Sequence, residues 1–299
     1  MFLVSKKMNH EEHPFQQMTR DVGWHRLSVK SLLLVVILGV CLYLLNIFVS
    51  SFFGSILQSF GYQYPDSENT FHGVGGLFLS LFLSAVLPGF CEEFLHRGVL
   101  LKGAIKQYGV KKALILVSVL FGLMHMNVGQ FFYATVLGWF MGVTVLATGS
   151  LWGSMIVHFI NNAIATYFSY AEELSLPGLN EINYLFANPV LTILTLLVVV
   201  VAVGGILRTL ARDNFERHLD AYVVRYLAIQ DKFDTTDFDQ LKTALPKVIK
   251  TMPTWKATMT YVETFDEPHT TKPLAKSILT ALVVMCGLIT VFTFVWGTW

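Results

Sequence analysis

The sequence predicts an all-α fold, a polytopic membrane helical bundle of about seven transmembrane helices, within a range of roughly six to eight. Of the 299 residues, 54% are hydrophobic and 14% are charged, whereas soluble domains carry about 25% charged residues. Mean hydropathy is +0.57. Apolar runs near the length of a membrane span recur along the chain, and the expected spans are 31–53, 74–95, 112–127, 130–148, 151–170, 188–207 and 277–297.

The placement of basic residues predicts the topology. All 21 lysines and arginines fall in the segments 1–30, 96–112 and 208–276, and the connections 54–73 and 171–187 contain none. Lysine and arginine concentrate on the cytoplasmic side of membrane proteins. Seven spans with a cytoplasmic N-terminus place every basic residue on that side. The second span is expected to continue past its basic end as one long tilted helix.

Composition also divides the chain into parts. The expected parts are a cytoplasmic N-terminal segment at 1–30, a transmembrane bundle at 31–207, a cytoplasmic excursion at 208–276 and a last transmembrane helix at 277–299. Within the excursion we expect amphipathic helices at 212–230 and 236–250 and an extended segment at 254–265. This is too little chain to bury an independent core, so the excursion is expected to pack on the bundle or lie at the membrane interface.

Charge, cysteines and the N-terminus exclude several classes of protein. A net charge of +1 argues against a nucleic-acid partner. Cys41, Cys91 and Cys286 lie in apolar runs and offer neither a disulfide framework nor a Cys-x-x-Cys metal pattern. The first apolar run begins near Ser31 after a long polar head, and no small-residue cleavage site follows it. We therefore expect a signal-anchor and no cleavable signal peptide.

Two adjacent carboxylates, Glu92 and Glu93, stand at the end of an apolar run. A charged side chain at membrane depth costs roughly 2.5–3.5 kcal/mol or more on insertion scales, and a second like charge beside it disfavours ionisation further. A chain that keeps such a pair is expected to use it. Arg97 lies four residues after Glu93, so the two share a helical face and can form an ion pair.

Two histidines lie in other expected spans at a similar depth. Counted at about 1.5 Å per helical residue from the inner edges of their spans, Glu92, His125 and His158 fall in one layer, nearer the cytoplasmic face. One carboxylate and two imidazoles from three spans therefore converge. This convergence predicts a polar site inside the membrane, entered from the cytoplasmic side.

Several of the polar residues also have an ordinary structural explanation. Arg97 taken alone could be a snorkelling anchor at the inner edge. Asn161 and Asn162 could join helices by hydrogen bonds. His96 is expected to be an interfacial residue. Cys91 is marked as a nucleophile by nothing except its position beside the carboxylates.

Three motifs follow one another along the chain: Glu92-Glu93-x-x-x-Arg97, Phe121-x-x-x-His125 and His158-x-x-x-Asn162. Together and in this order they resemble the signature of the CAAX protease and bacteriocin-processing family, also called Abi or type II CAAX prenyl endopeptidases. Each motif lies on a separate expected span. Members of this family are intramembrane proteases. The resemblance covers roughly residues 74–170 and the neighbouring spans by topology, and it leaves the N-terminal segment and the excursion without an assignment.

The resemblance implies a role for each matching residue. Glu92 matches the family's catalytic glutamate, which with His125 would hold and activate a water molecule. His158 and Asn162 match the residues that stabilise the oxyanion. Peptide hydrolysis without a nucleophilic side chain does require a base for the water and donors aimed at the developing charge. Asn161 lies one position outside the motif and receives no role.

The remaining motif residues, Glu93 and Arg97, match an accompanying pair whose role would be to support the catalytic residues. Arg97 could keep Glu93 charged and leave Glu92 as the group that exchanges a proton. We expect no cofactor, with zinc as the mechanistic alternative. In that case Glu92, His125 and His158 would be three ligands with a fourth position open to water, although the sequence contains no His-Glu-x-x-His motif.

The expected function is therefore that of a membrane-embedded endopeptidase similar to type II CAAX prenyl proteases. Its expected partners are a peptide or membrane-protein substrate and the lipid bilayer, in a bacterial plasma membrane in preference to an endoplasmic reticulum. Two other classes stay open. A non-proteolytic scaffold or bacteriocin-immunity protein of the same family would keep the motifs as a structural core. A proton-coupled carrier would use them as a relay, and its repeated or broken helices in matching halves are not seen in the sequence.

Overall fold

A computed structural model describes residues 22–64, 69–214 and 273–297, and these ranges fold into helices without a strand. The all-α prediction is therefore confirmed. The two expected helices of the excursion, beyond Asn214, and its extended segment lie outside the described residues. The helices are α1 (Val29–Ser59), α2 (Gly73–Leu81), α3 (Leu87–Glu93), α4 (Leu101–Met124), α5 (Val128–Thr148), α6 (Leu151–Ser169), α7 (Leu179–Ala187), α8 (Pro189–Asp213) and α9 (Pro273–Gly297).

One long helix carries both carboxylates. Two π-helical segments, Phe82–Val86 and Phe94–Leu100, connect α2 to α3 and α3 to α4. Together they make a continuous helix of 33 residues, Gly73–Ile105, as expected for the second span. The chain turns away from this axis at Gly109, whose φ of 74° interrupts α4. Glycine adopts that conformation without the steric cost that a Cβ would bring.

Five helices in the described ranges are long and apolar enough to cross a membrane by length and composition. They are Val29–Ser59, Gly73–Ile105, Gln107–Met124, Val128–Thr148 and Pro189–Asp213. The other two expected spans are helical as well. One is α6, which carries His158, Asn161 and Asn162 and is not among the five. The other lies within α9, whose apolar stretch Val283–Val295 is shorter than the five.

The bundle is organised around α5. In the most apolar window of α5, 56% of the residues are buried, whereas the value for α8 is 11%. The main core joins α1, α5, α6 and α8 through buried side chains that include Leu38, Met141, Val157 and Val203. A helix that is apolar on all sides yet exposed is typical of a membrane span. Helix α8 therefore presents most of its surface to the surroundings of the bundle.

At one end of the bundle lie segments that the positions of the basic residues predict to be on the same side of the membrane. The Leu151 N–H donates to the Gly23 carbonyl at 2.8 Å, so the start of α6 contacts the chain before α1. Lys30 Nζ lies 2.7 Å from Asp213 Oδ2, so α1 begins beside the end of α8. These contacts agree with the predicted grouping of the ends. Which end faces the cytoplasm stays a prediction.

The opposite end is fastened by Glu173. Its Oε1 accepts a hydrogen bond from the Gly73 N–H at 2.5 Å, and its Oε2 lies 3.4 Å from His72 Nδ1. The Gly73 hydrogen bond is the main cause that lowers the pKa of the Glu173 carboxyl, and His72 contributes further. Because an N–H at a helix N-terminus favours the charged carboxylate, this contact ties the loop after α6 to the start of α2.

We expect the Glu173 contact to stabilise the protein in a pH-dependent way. The folded pKa lies below the unfolded value of about 4.3, so the stabilisation is present above that value and is lost as pH falls through the folded pKa. Glu173→Gln should lower the unfolding temperature in detergent at neutral pH and lower it less near pH 3. Glu172→Gln is the neighbouring control and should have no effect. An equal loss for Glu173→Gln at both pH values would contradict this prediction.

Helices α4 and α5 approach closely at Gly122. A Cβ added there would lie 2.1 Å from Thr135 Oγ1 and 2.7 Å from the Phe131 carbonyl oxygen. Because the second contact is backbone, relief requires the helices to separate. We expect Gly122→Ala to destabilise the protein by about 1–3 kcal/mol, measured as a lower unfolding temperature in detergent. Gly103→Ala on the same helix meets no atom within 4 Å and should be neutral or slightly stabilising.

Candidate active site

A cavity of about 650 Å³ lies among α1, α3, α4, α5, α6 and the first π-helical segment. Its lining includes all four residues predicted to be catalytic, Glu92, His125, His158 and Asn162. The fold therefore brings together side chains from three separate motifs. A second cavity, of about 360 Å³, lies among α1, α5 and α8, and its lining is apolar except for Arg208. Only the first of the two holds groups suited to acid–base chemistry.

The two carboxylates have different surroundings. Glu92 is partly exposed and lines the cavity. Glu93 is fully buried, and its Oε1 lies 2.5 Å from Arg97 Nη1. The ion pair expected from their spacing is therefore present. Cys91 is exposed and is not part of the cavity lining.

Arg97 points into the protein. It is fully buried, its Nη2 donates to the Gly138 carbonyl at 2.9 Å, and its guanidinium carbon lies 4.4 Å from the centre of the Phe121 ring. The alternative of a snorkelling anchor is therefore wrong. A buried guanidinium requires a partner charge and further acceptors. Glu93 and Gly138 serve Nη1 and Nη2, whereas Nε has no hydrogen-bond partner among the described residues.

Glu93 also contacts the third motif. His158 Nδ1 lies 3.0 Å from Glu93 Oε1, the oxygen that Arg97 also binds. An ionised carboxylate only accepts hydrogen bonds, so with Glu93 paired to Arg97 the imidazole holds a proton on Nδ1. This leaves His158 Nε2 as the ring nitrogen available to the cavity. The link between Glu93 and His158 joins α3 to α6 and was not predicted.

His125 lies at a helix end, contrary to the prediction that it falls inside the span 112–127. Helix α4 ends at Met124, and His125 is its C-cap residue. The turn continues through Met126, whose φ is 48°, to Asn127, whose side chain caps α5 by accepting two N–H groups. The predicted span runs past the end of the helix because it follows the apolar run. Hydropathy contains no information about the residues that cap a helix.

The hydrogen bond of His125 defines its tautomer. Nδ1 lies 2.8 Å from the Phe121 carbonyl oxygen, one of the carbonyls that a helix C-terminus leaves without an intrahelical partner. A carbonyl only accepts, so Nδ1 holds the proton, and Nε2 of the neutral ring carries a lone pair. His125 is therefore prepared to accept a proton at Nε2.

Phe121 is the residue around which the imidazoles are arranged. The ring centres of His96 and His125 each lie 5.0 Å from that of Phe121, and that of His158 lies 5.6 Å away, all edge to face. Arg97 covers the same ring. From the sequence, no role follows for Phe121 beyond its place four residues before His125 in the second motif.

His96 is buried, with 1% of its surface exposed. Its Nδ1 lies 2.8 Å from the Glu92 carbonyl oxygen and its Nε2 lies 3.1 Å from Met124 Sδ. The second π-helical segment places this side chain between its own helix and α4. Its side chain therefore faces other helices of the bundle, and its depth at the membrane interface stays a prediction.

The asparagines link three elements. Asn161 Oδ1 accepts from Asn46 Nδ2 at 3.0 Å, which joins α6 to α1. Asn162 lines the cavity, and its Nδ2 donates to the Ser84 carbonyl at 2.8 Å. The expectation that the asparagines join helices agrees with these contacts. Asn162 therefore both lines the cavity and joins α6 to the first π-helical segment.

The described residues include no group of three or more His, Cys, Asp or Glu side chains arranged to hold a metal ion. Glu92, His125 and His158 line one cavity without forming such a group. One ring nitrogen of each histidine is hydrogen-bonded, to the Phe121 carbonyl in His125 and to Glu93 in His158. Such a bond is also usual for a metal-binding histidine, so Nε2 of each ring is left available. The zinc alternative stays a hypothesis, and the steps proposed below use no metal.

Residues 74–164 match the family model described as type II CAAX prenyl endopeptidase Rce1-like. This is a family of proteases, and the matched range contains all three motifs. The resemblance inferred from those motifs is confirmed for this segment. The comparisons with curated proteins and with solved structures found no match.

Proposed function

We propose, from the match of residues 74–164 to a CAAX protease family and from the cavity that these residues line, that this membrane protein is an intramembrane endopeptidase. The observation that carries the proposal is the meeting of Glu92, His125, His158 and Asn162 at one cavity. The reaction is hydrolysis of a peptide bond by an activated water molecule, without a covalent intermediate.

In the proposed first step, Glu92 and His125 hold the water. A proton passes from water to one of these two bases, and the water oxygen bonds to the carbonyl carbon. His125 is suited to this step because its Nε2 carries a lone pair when Nδ1 donates to Phe121. A positioned base of this kind contributes about 10²- to 10⁴-fold to the rate.

In the same step the carbonyl oxygen becomes an oxyanion, which needs donors. Asn162 gives one N–H to Ser84 and has a second for the oxyanion. His158 can donate from Nε2 when the ring also holds a proton on Nδ1, and the Glu93 carboxylate beside Nδ1 stabilises that charged ring. The tetrahedral species then breaks at the carbon–nitrogen bond, and the amine leaves with the proton held by the base.

The proposed substrate is a peptide or membrane protein that reaches the cavity from within or beside the bilayer, at the cytoplasmic side. The cavity is bounded by α1 on one side and by α5 and α6 on the other, and its lining mixes polar and apolar side chains. We propose a bacterial plasma membrane as the location, with the N-terminus in the cytoplasm. Whether the substrate carries a prenyl group is an outcome of the next experiment.

The function is tested by comparing peptide termini in membranes of cells that express the wild-type chain or Glu92→Gln at equal levels. We expect new termini only with the wild-type chain, because the substitution removes the proposed base and keeps the side-chain volume. A lipidated C-terminal product would identify prenylated substrates. Identical termini in the two membranes would favour the scaffold function in place of the protease.

Exhaustive chelation is expected to leave cleavage unchanged. The proposed bases and donors are all side chains of this chain, so no step requires a metal. The measurement is the turnover of an identified substrate by purified protein before chelation, after chelation and after zinc is added back. Loss of turnover that zinc restores would contradict the metal-free mechanism.

A further inference from the structure

Three asparagine side chains that line the cavity, Asn46, Asn161 and Asn162, form a line of hydrogen bonds along its wall. Asn46 Nδ2 donates to Asn161 Oδ1 at 3.0 Å, and Asn161 Nδ2 donates to Asn162 Oδ1 at 3.1 Å. Asn162 Nδ2 in turn donates to the Ser84 carbonyl at 2.8 Å. The line starts on α1, passes through two adjacent residues of α6 and ends on the first π-helical segment.

Pro88 removes one donor that the last acceptor could have had. In an α-helix the Ser84 carbonyl would accept the N–H of residue 88, and proline has none. Ser84 is exposed and lies in the first π-helical segment, and Pro88 lines the cavity. Asn162 supplies a side-chain donor to this carbonyl.

This acceptor fixes the direction of the whole line. A backbone carbonyl cannot donate, so Asn162 must turn Nδ2 toward Ser84 and Oδ1 away from it. Asn161 must then present Nδ2 to Asn162, and its Oδ1 faces Asn46. Each amide has a single orientation that satisfies both neighbours. The orientation follows from chemistry, which matters because amide oxygen and nitrogen are otherwise interchangeable in shape.

We propose that Asn46 and Asn161 are positioning residues that, together with the Ser84 carbonyl, hold the amide of Asn162 in one orientation, so that the second Nδ2 hydrogen is held toward the cavity. The inference rests on the proposed function, in which Asn162 donates to the oxyanion. An amide that is free to flip would present its oxygen to the oxyanion for part of the time and repel it.

A purely structural role, in which the asparagines only hold α1 and α6 together, explains fewer of these hydrogen bonds. It explains why Asn46 and Asn161, which are 7% and 6% exposed, bind each other between α1 and α6. It does not explain why Asn161 also donates to its neighbour on the same helix, or why the line ends at a carbonyl beside the site. A positioning role accounts for all three hydrogen bonds.

The kinetic test uses Asn161→Ala, Asn162→Ala and the double variant. Asn162→Ala is expected to lower kcat by about 10²- to 10³-fold, as for one oxyanion donor. Asn161→Ala should lower kcat by about 10- to 100-fold through misplacement, with KM within about twofold. Because Asn161 acts through Asn162, the double variant should be no slower than Asn162→Ala alone.

Ser118→Ala is the matched control. It removes a buried side-chain hydrogen bond, from Ser118 Oγ to the Leu114 carbonyl, at a distance from the line of asparagines. Its kcat should equal that of the wild type. Independent losses that multiply in the double variant would overturn the proposal and leave the proposed function intact, whereas a wild-type chain that cleaves nothing would overturn the function.

A second measurement needs no activity. Asn46 and Asn162 share no direct hydrogen bond, so a coupling between Asn46→Ala and Asn162→Ala in the unfolding temperature must pass through Asn161. We expect the double variant to lose less than the sum of the two single losses, and this difference to vanish in an Asn161→Ala background. Plain additivity of the Asn46 and Asn162 losses would overturn the proposed line.

Discussion

Replacement of Glu92 by glutamine is expected to lower the rate of peptide-bond cleavage by a factor of about 10² to 10⁴, the usual contribution of a positioned base. Glutamine keeps the volume of the side chain and removes its ability to accept a proton. Because Glu92 is partly exposed to the cavity and is not part of the buried ion pair, the fold should be unaffected. The measurement is kcat of the purified variant, with its unfolding temperature in detergent as the check on folding.

The matched control for this prediction is Cys91→Ser. It changes the adjacent residue, which is exposed and does not line the cavity, and it also tests whether the thiol acts as a nucleophile. Its kcat should equal that of the wild type. Wild-type turnover in Glu92→Gln, or loss of turnover in Cys91→Ser, would falsify the assignment of Glu92 as the base.

Arg97→Met should cause the largest loss of stability among single substitutions near the site. The Glu93 carboxylate is fully buried and its Oε2 has no hydrogen-bond partner in the part of the chain that the structure describes, so removal of the guanidinium leaves a buried carboxylate that has lost its paired cation. Breaking a buried ion pair from one side costs about 3–5 kcal/mol. The variant is expected to unfold at a lower temperature in detergent and to yield little folded protein.

The double variant Glu93→Gln with Arg97→Met separates the charge effect from lost packing. It removes both charges and should recover a large part of the stability lost in Arg97→Met. Arg97→Lys is the conservative comparison. An ammonium cannot reproduce the two-sided contact with Glu93 and Gly138, so partial loss is expected. A double variant as unstable as Arg97→Met would show that the charge of Glu93 is not the cause.

Much of the fold could be predicted from hydropathy, because the cost of exposing backbone and charges to lipid leaves helices as the only spanning element for such a chain. Span boundaries were less accurate. The predicted third span included His125, whereas α4 ends at Met124, since a left-handed residue and an asparagine cap end the helix without changing the apolar character of the run.

The site could be predicted in part for a related reason. Spacing of four residues places side chains on one helical face, and this alone predicted the pair of Glu93 with Arg97. It could not predict that Glu93 also contacts His158, 65 residues later in the chain, or that Phe121 lies beneath three imidazoles. Those contacts depend on how separate helices pack.

The sequence by itself determined the class of protein, the expected helices and the residues of the three motifs, because composition, apolar length and helical period are local properties. Only the tertiary structure showed that the pair of Glu93 and Arg97 is fully buried and that Glu93 also contacts His158 on another helix. Only the tertiary structure joined Asn46 to Asn161 across 115 positions. The physical reason is that contacts between helices are set by the packing of side chains from distant segments. The periodicity of one helix does not show which face of a neighbouring helix it will contact.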